Sequence, residues 1–291
     1  MALTIDVFFD AQPTRETQYD ARGSVDDFPG YMRRYAERAQ AARRHHPGSI
    51  DLPYGPGVAE RLDIFPAPGA LLAPVFVFIH GGYWRALSKE DMHGVVPALT
   101  QAGVAVVALE YTLAPEATLA EIVREVRSAV AWLHAHGRAY GLDPDRIHVS
   151  GSSAGGHLAA MLLAPEWPAR YGLPGDVIKG AVALSGLFDL RPLCDTVVNS
   201  WLQLTEAQAW ALSPMAHVPT ASAPLILAVG EQETLGFKRQ TQAMHALWQQ
   251  HGLPVSMMEV DAADHFSIVF DLADEKSGLF KATLDMILRG S

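Results

Sequence analysis

The run Gly151-Ser152-Ser153-Ala154-Gly155 fits the pattern G-x-S-x-G, with Ser153 at its centre. It follows an apolar stretch at 147–149 and opens a segment of helical character. A serine held on a sharp strand-to-helix turn presents its hydroxyl as a nucleophile. Only small neighbours, here Gly151 and Gly155, let the two elements approach so closely. Acyl transfer from such a serine also requires N–H donors for the oxygen that becomes negative, and loss of one donor typically lowers the rate by about 10²–10³. His80-Gly81-Gly82-Tyr83-Trp84 follows another apolar stretch, 75–79. The backbone amides of Gly82, Tyr83 and Ala154 are therefore the expected oxyanion donors. Gly81 is the expected hinge, and His80 a partner that fixes the loop.

The hydroxyl needs a general base, and the base needs an acid that sets its tautomer. Among twelve histidines, His265 alone lies just past the last apolar stretch, 255–260, within Asp261-Ala262-Ala263-Asp264-His265-Phe266. No pair of histidines has the spacing of a zinc site with a supporting carboxylate. Glu233, shortly after the stretch 225–229, is the expected acid; Asp189, Glu231 and Asp261 remain alternatives. Serine, then acid, then histidine is the chain order of α/β-hydrolases.

The elements that must position these residues alternate. Apolar, strand-length stretches at 75–79, 104–109, 147–149, 181–184, 225–229 and 255–260 are separated by helical segments at 119–136, 154–163, 237–251 and 277–288. Strands apolar on both faces and interleaved with helices predict a doubly wound, mostly parallel sheet covered on each side. One domain over 1–291 is expected, with a hairpin of 50–54 and 58–65 across Gly55-Pro56-Gly57. Residues 1–48 read as an N-terminal helical extension, in which Tyr31, Met32, Tyr35 and Ala39 give 28–44 an apolar face. Residues 187–223 break the alternation and are expected to form a small helical lid over the strands' carboxyl ends, where ligands bind in such folds. Trp84, Phe188, Trp201 and Phe266 are the expected walls of a substrate pocket.

Composition excludes several other functions. A net charge of −10 leaves no basic stripe for nucleic acid. A single cysteine, Cys194, excludes an internal disulfide framework. The N-terminus lacks the pattern of a signal peptide, and no apolar stretch approaches the roughly 20 residues of a membrane span. A cytoplasmic protein without membrane partners is expected, with a homodimer as the default assembly.

His80-Gly81-Gly82-Tyr83-Trp84 together with Ser153-Ala154-Gly155-Gly156-His157-Leu158 resembles the kynurenine formamidase (arylformamidase) branch of the esterase/lipase hydrolases. Leu184-Ser185-Gly186-Leu187-Phe188-Asp189-Leu190, Asn199, Ser213-Pro214, Phe237-Lys238-Arg239-Gln240 and His265-Phe266 match that branch as well. The resemblance runs from about Tyr54 to the end and weakly includes the N-terminal helix. It implies hydrolysis of N-formyl-kynurenine to kynurenine and formate, with no metal and no cofactor. Glu233 departs from the aspartate common at that position. Broad short-chain carboxylesterases belong to the same branch and supply the alternative. A non-catalytic ligand-binding relative ranks lower, because the serine, histidine and glycine positions are intact.

Overall fold

Val75, Val77 and Ile79 pack into the core on one side of the central sheet, Phe76 and Phe78 into the core on the other, and all are buried. This two-residue alternation of apolar side chains makes a strand that needs cover on both faces. The computed structural model describes residues 12–289; the part of the expected extension before Gln12 lies outside them.

The strands are β1 (Ser49–Pro53), β2 (Arg61–Phe65), β3 (Ala73–Ile79), β4 (Ala105–Leu109), β5 (Leu142–Ser152), β6 (Ile178–Leu184), β7 (Leu225–Gly230) and β8 (Val255–Val260). They form one sheet in the order β1-β2-β4-β3-β5-β6-β7-β8. β1 and β2 pair antiparallel, as do β2 and β4, and the remaining neighbours are parallel. The helices are α1 (Gln12–Tyr19), α2 (Phe28–His45), α3 (Val96–Gln101), α4 (Leu119–His136), α5 (Ala154–Met161), α6 (Trp167–Arg170), α7 (Asn199–Leu202), α8 (Glu206–Ala211), α9 (Leu235–Gln250), α10 (Ile268–Leu272) and α11 (Gly278–Arg289). Leu119 and Ile122 of α4, Leu158 of α5 and Trp248 of α9 fill the core on one face. Tyr35 of α2, Leu99 of α3, Ile268 of α10 and Ile287 of α11 fill it on the other. The architecture is the α/β-hydrolase fold.

Several details depart from the periodicity. β5 is longer than 147–149, because it pairs on both sides, with β3 and with β6. β8 pairs with β7 alone, and Ser256, Met257 and Glu259 are exposed, so its apolar residues are not buried on two faces. β2 starts only at Arg61: Val58 is 92% exposed in the preceding turn, which Glu60 closes by accepting the Gly57 amide at 2.6 Å. A 3₁₀ helix at Lys89–Val95, running into α3, was not evident in the sequence. Residues 187–223 hold two short 3₁₀ turns with α7 and α8 and no strand. Among the described residues no helix is long and apolar enough to cross a membrane.

Candidate active site

The register of the sheet brings the turns together. Ile79 lies level with both Leu109 and Gly151, Ser152 with Leu184, Leu184 with Ala228, and Gly230 with Val260. The turns after β3, β5, β6, β7 and β8 thus emerge along the carboxyl edge of the parallel strands.

Ser153 joins β5 to α5 with φ 57° and ψ −115°, a backbone state that costs a non-glycine residue about 1–3 kcal/mol. Its surroundings hold it there. The Ser153 amide donates to Leu184 O at 2.8 Å, and its carbonyl accepts from His157 N at 3.0 Å. A Cβ at Gly151 would fall 2.7 Å from Ile79 O, and one at Gly155 would fall 2.7 Å from His80 O. Both glycines are required by the close approach of β5, α5 and β3.

His265 lies in the turn after β8, and its Nδ1 is 2.7 Å from Glu233 Oε2. The other oxygen of Glu233 accepts from the Ser185 hydroxyl at 2.5 Å and from the Gly230 amide at 2.7 Å. The carboxylate is thereby fixed at both oxygens, which accommodates the longer side chain of glutamate. The sequence did not single out Ser185 as a partner of this carboxylate. Its part depends on β6 lying beside β7, a neighbour relation that no local spacing reveals. The alternative acids are engaged elsewhere or exposed. Asp189 is held by Arg191 through Nε at 3.0 Å and Nη2 at 2.6 Å, Glu231 accepts the Ala262 amide at 2.8 Å, and Asp261 is exposed. With Nδ1 committed to Glu233, Nε2 is the ring nitrogen left for a proton transfer.

The loop after β3 has three consecutive residues with positive φ: Gly82 at 93°, Tyr83 at 50° and Trp84 at 56°. The Gly82 carbonyl turns back to accept from the amides of Arg85 and Ala86, both at 3.0 Å. The amides of Gly82, Tyr83 and Ala154 take part in none of the turn and loop bonds among the described residues. A side chain at Gly81 would place its Cβ 2.7 Å from Ser152 O, so this loop and the turn at Ser153 touch. His80 fixes the loop from behind, with Nε2 2.8 Å from Glu110 Oε1, Nδ1 2.9 Å from Gly81 O, and its ring stacked on Tyr111 at 4.2 Å. The Tyr83 hydroxyl donates to Tyr19 O, and burial pushes its pKa well up, which keeps it a donor.

Ser153 and His265 open on one cavity of about 420 Å³, within the range of small-ligand sites. Trp201 and Phe266 line it; Trp84 and Phe188 do not. This corrects the expectation for those two aromatics. Trp84 is 0% exposed, its indole edge-on to His157 at 5.0 Å and its backbone at positive φ in the loop after β3. Phe188, also 0% exposed, packs in the core beside Gly186. The N-terminal segment supplies wall residues that the sequence did not point to: Tyr19, Asp20 and Arg22, and Phe28 and Tyr35 of α2.

Two family profiles match the chain: the prolyl oligopeptidase family over residues 120–277 and BD-FAE over residues 62–166. Kynurenine formamidase of Danio rerio is 34% identical over 279 residues, which is 93% of this chain and 93% of that protein. Esterase LipQ of Mycobacterium tuberculosis is 30% identical, over 90% of this chain and 65% of LipQ. A solved structure from Silicibacter sp. TM1040, provisionally named a thioesterase, superposes with a TM-score of 0.80 at 29% identity, over 94% of this chain and 98% of that one.

Proposed function

The chain belongs to the kynurenine formamidase-like branch of the α/β-hydrolases and is a serine hydrolase, and from that premise we propose that it cleaves N-formyl-kynurenine to kynurenine and formate with a Ser153–His265–Glu233 triad. His265 Nε2 takes the hydroxyl proton as Ser153 Oγ attacks the formyl carbon. The resulting oxyanion is bound by the amides of Gly82, Tyr83 and Ala154. His265 then gives the proton to the departing aryl amine, leaving a formyl ester on Ser153. Water, deprotonated by the same imidazole, attacks that ester; His265 then returns the proton to Ser153 Oγ as the C–Oγ bond breaks, releasing formate and restoring the free serine. Glu233 holds the tautomer and stabilises the imidazolium. Residues 187–223 act as a lid in this reading, with Trp201 Nε1 donating to Tyr83 O at 3.1 Å and so joining the lid to the oxyanion loop.

The observation that carries the substrate assignment is the make-up of the cavity. Phe28, Tyr35, Trp201 and Phe266 offer apolar surface for an aromatic ring, while Asp20, Arg22 and Arg85 bring both signs of charge to the same cavity. An aryl formamide with an amino-acid tail needs that combination, and a short acyl ester does not. The similarity to LipQ favours a second reading, a short-chain carboxylesterase. Comparing kcat/KM for N-formyl-kynurenine with that for p-nitrophenyl acetate, with Ser153→Ala as blank, decides between them. The formamide is expected to be the better substrate; the opposite order assigns a carboxylesterase.

A further inference from the structure

His265 is fixed by Glu233 at one ring nitrogen, but its backbone lies in an irregular turn between β8 and α10 in which Ala262 has φ 55°. Two hydroxyls of a helix more than two hundred residues away brace that turn. Tyr31 OH donates to the carboxylate of Asp264, immediately before the histidine. Tyr35 OH donates to Phe266 O at 2.6 Å, immediately after it. We propose that Tyr31 and Tyr35 of α2 are positioning residues for the general base, clamping the chain on either side of His265 so that its imidazole meets Ser153. The inference rests on the triad proposed above.

The clamp extends into the turn through Asp264. Its Oδ1 accepts the amides of Phe266 and Ser267, each at 2.9 Å, so what holds this carboxylate also holds the next two residues. Burial pushes the Asp264 carboxyl up, but the Tyr31 hydroxyl and those amides outweigh it and keep the group below the usual carboxylate range. Burial raises both tyrosine hydroxyls, so they remain donors wherever the enzyme works. Ring contacts reinforce the brace: Phe266 meets Phe28 at 5.1 Å and Tyr31 at 5.5 Å, while Phe270 meets Tyr35 at 5.2 Å. The helix is itself anchored. Asp27 caps it by accepting the Gly30 amide at 2.9 Å, and Tyr35, Ala39 and Ala42 are buried.

Misplacement of a reacting group by about 1 Å costs on the order of 10²-fold in rate. Loss of two hydroxyls that hold the turn, with both rings kept, should cost a part of that. Tyr31 does not line the cavity, so its contribution falls on kcat and leaves KM unchanged. The test uses p-nitrophenyl acetate, which makes it independent of the formyl substrate, and compares Tyr31→Phe, Tyr35→Phe and the pair in the parent and in His265→Ala. The pair should lower kcat by about 10- to 100-fold, in the range that misplacement predicts. It should cost nothing further in His265→Ala, because residues acting through one group are not additive. Full activity of the pair, or an equal loss in both backgrounds, overturns the inference: the second result marks general loosening of the fold. Undiminished activity of His265→Ala alone would remove the triad, and this proposal with it. If the pair does not fold, Tyr31→Phe carries the same cycle, since Asp264 keeps its backbone donors.

Discussion

Two buried histidine–carboxylate pairs lie toward opposite flanks of the sheet. At one, beyond β7 and β8, His265 Nδ1 is 2.7 Å from Glu233; at the other, on β2 and the 3₁₀ helix after β3, His93 Nε2 is 2.9 Å from Asp63. By distance and burial the two are alike. Their surroundings differ. Asp63 shares its Oδ2 with Lys89 at 3.1 Å, and Lys89 is further held by Asp51 at 2.8 Å and Glu90 at 2.5 Å. The remaining nitrogen of His93 is buried without a hydrogen-bond partner, and Phe65 meets the ring edge-on at 4.9 Å. His265 instead shares a cavity with Ser153. A carboxylate on imidazole is thus not a signature of chemistry by itself. A place on the cavity that Ser153 also lines distinguishes the proposed base from a histidine that only holds the fold.

Substitutions at the two pairs should therefore separate rate from stability. Ser153→Ala is expected to lower kcat by about 10⁶, as removal of a triad serine does elsewhere; a loss below tenfold in a folded protein would refute the assignment. Glu233→Gln keeps the shape but disturbs the tautomer, and should cost about 10⁴ in kcat with little change in thermal midpoint. Asp63→Asn should do the reverse. It strips Lys89 of a buried partner and should lower stability by about 3 kcal/mol, with kcat per folded molecule unchanged. Urea midpoints measured beside active-site titration separate the two quantities. Burial pushes the Asp63 carboxyl up, but hydrogen bonds from His93 and the Asp51 amide, with the charge of Lys89, hold it below the usual range. Its stabilisation is present above the unfolded value, near 3.9, and is lost as pH falls through the lower folded value.

The same contrast explains what the sequence revealed. Ser153, His265 and Glu233 could be proposed as a set from the sequence because residue types with few chemical substitutes stand at fixed places after apolar stretches. The fold brings His265 to Glu233 and to the cavity that Ser153 lines. The helix read at 119–136 is the observed α4, Leu119–His136, since its apolar period runs unbroken between a threonine cap and a glycine. Cavity walls were legible only in part: Trp201 and Phe266 line the cavity, while Trp84 and Phe188 do not. Whether an aromatic faces cavity or core depends on what packs around it, as Trp84 against His157 illustrates, and aromatic character alone cannot report it. Nor is there a local signal for Tyr31 and Tyr35. Helical periodicity gave α2 an apolar face, but the loop that face would meet lies at the far end of the chain. Ser185 was hidden for the same reason.

The smallest effect expected concerns two further buried histidines, which sharpen the contrast through pH. His157 of α5 is 0% exposed, its Nε2 lies 2.7 Å from Leu212 O, and burial pushes its pKa down to about 4. His148 of β5 is pushed down to about 4 in the same way. In the unfolded chain both should titrate near 6.5. Between about 6.5 and 4 the unfolded state therefore binds more protons than the folded one, so stability declines as pH falls across that window. Above it neither group contributes a slope. Each proton adds about 1.4 kcal/mol per pH unit where the difference is complete. His157→Gln retains an N–H for the Leu212 carbonyl and does not titrate, so urea unfolding midpoints between pH 7 and pH 5 should decline less steeply than in the parent. Parallel declines would mean that His157 takes up its proton at the same pH in the folded protein as in the unfolded chain, and burial would then not be what sets its charge.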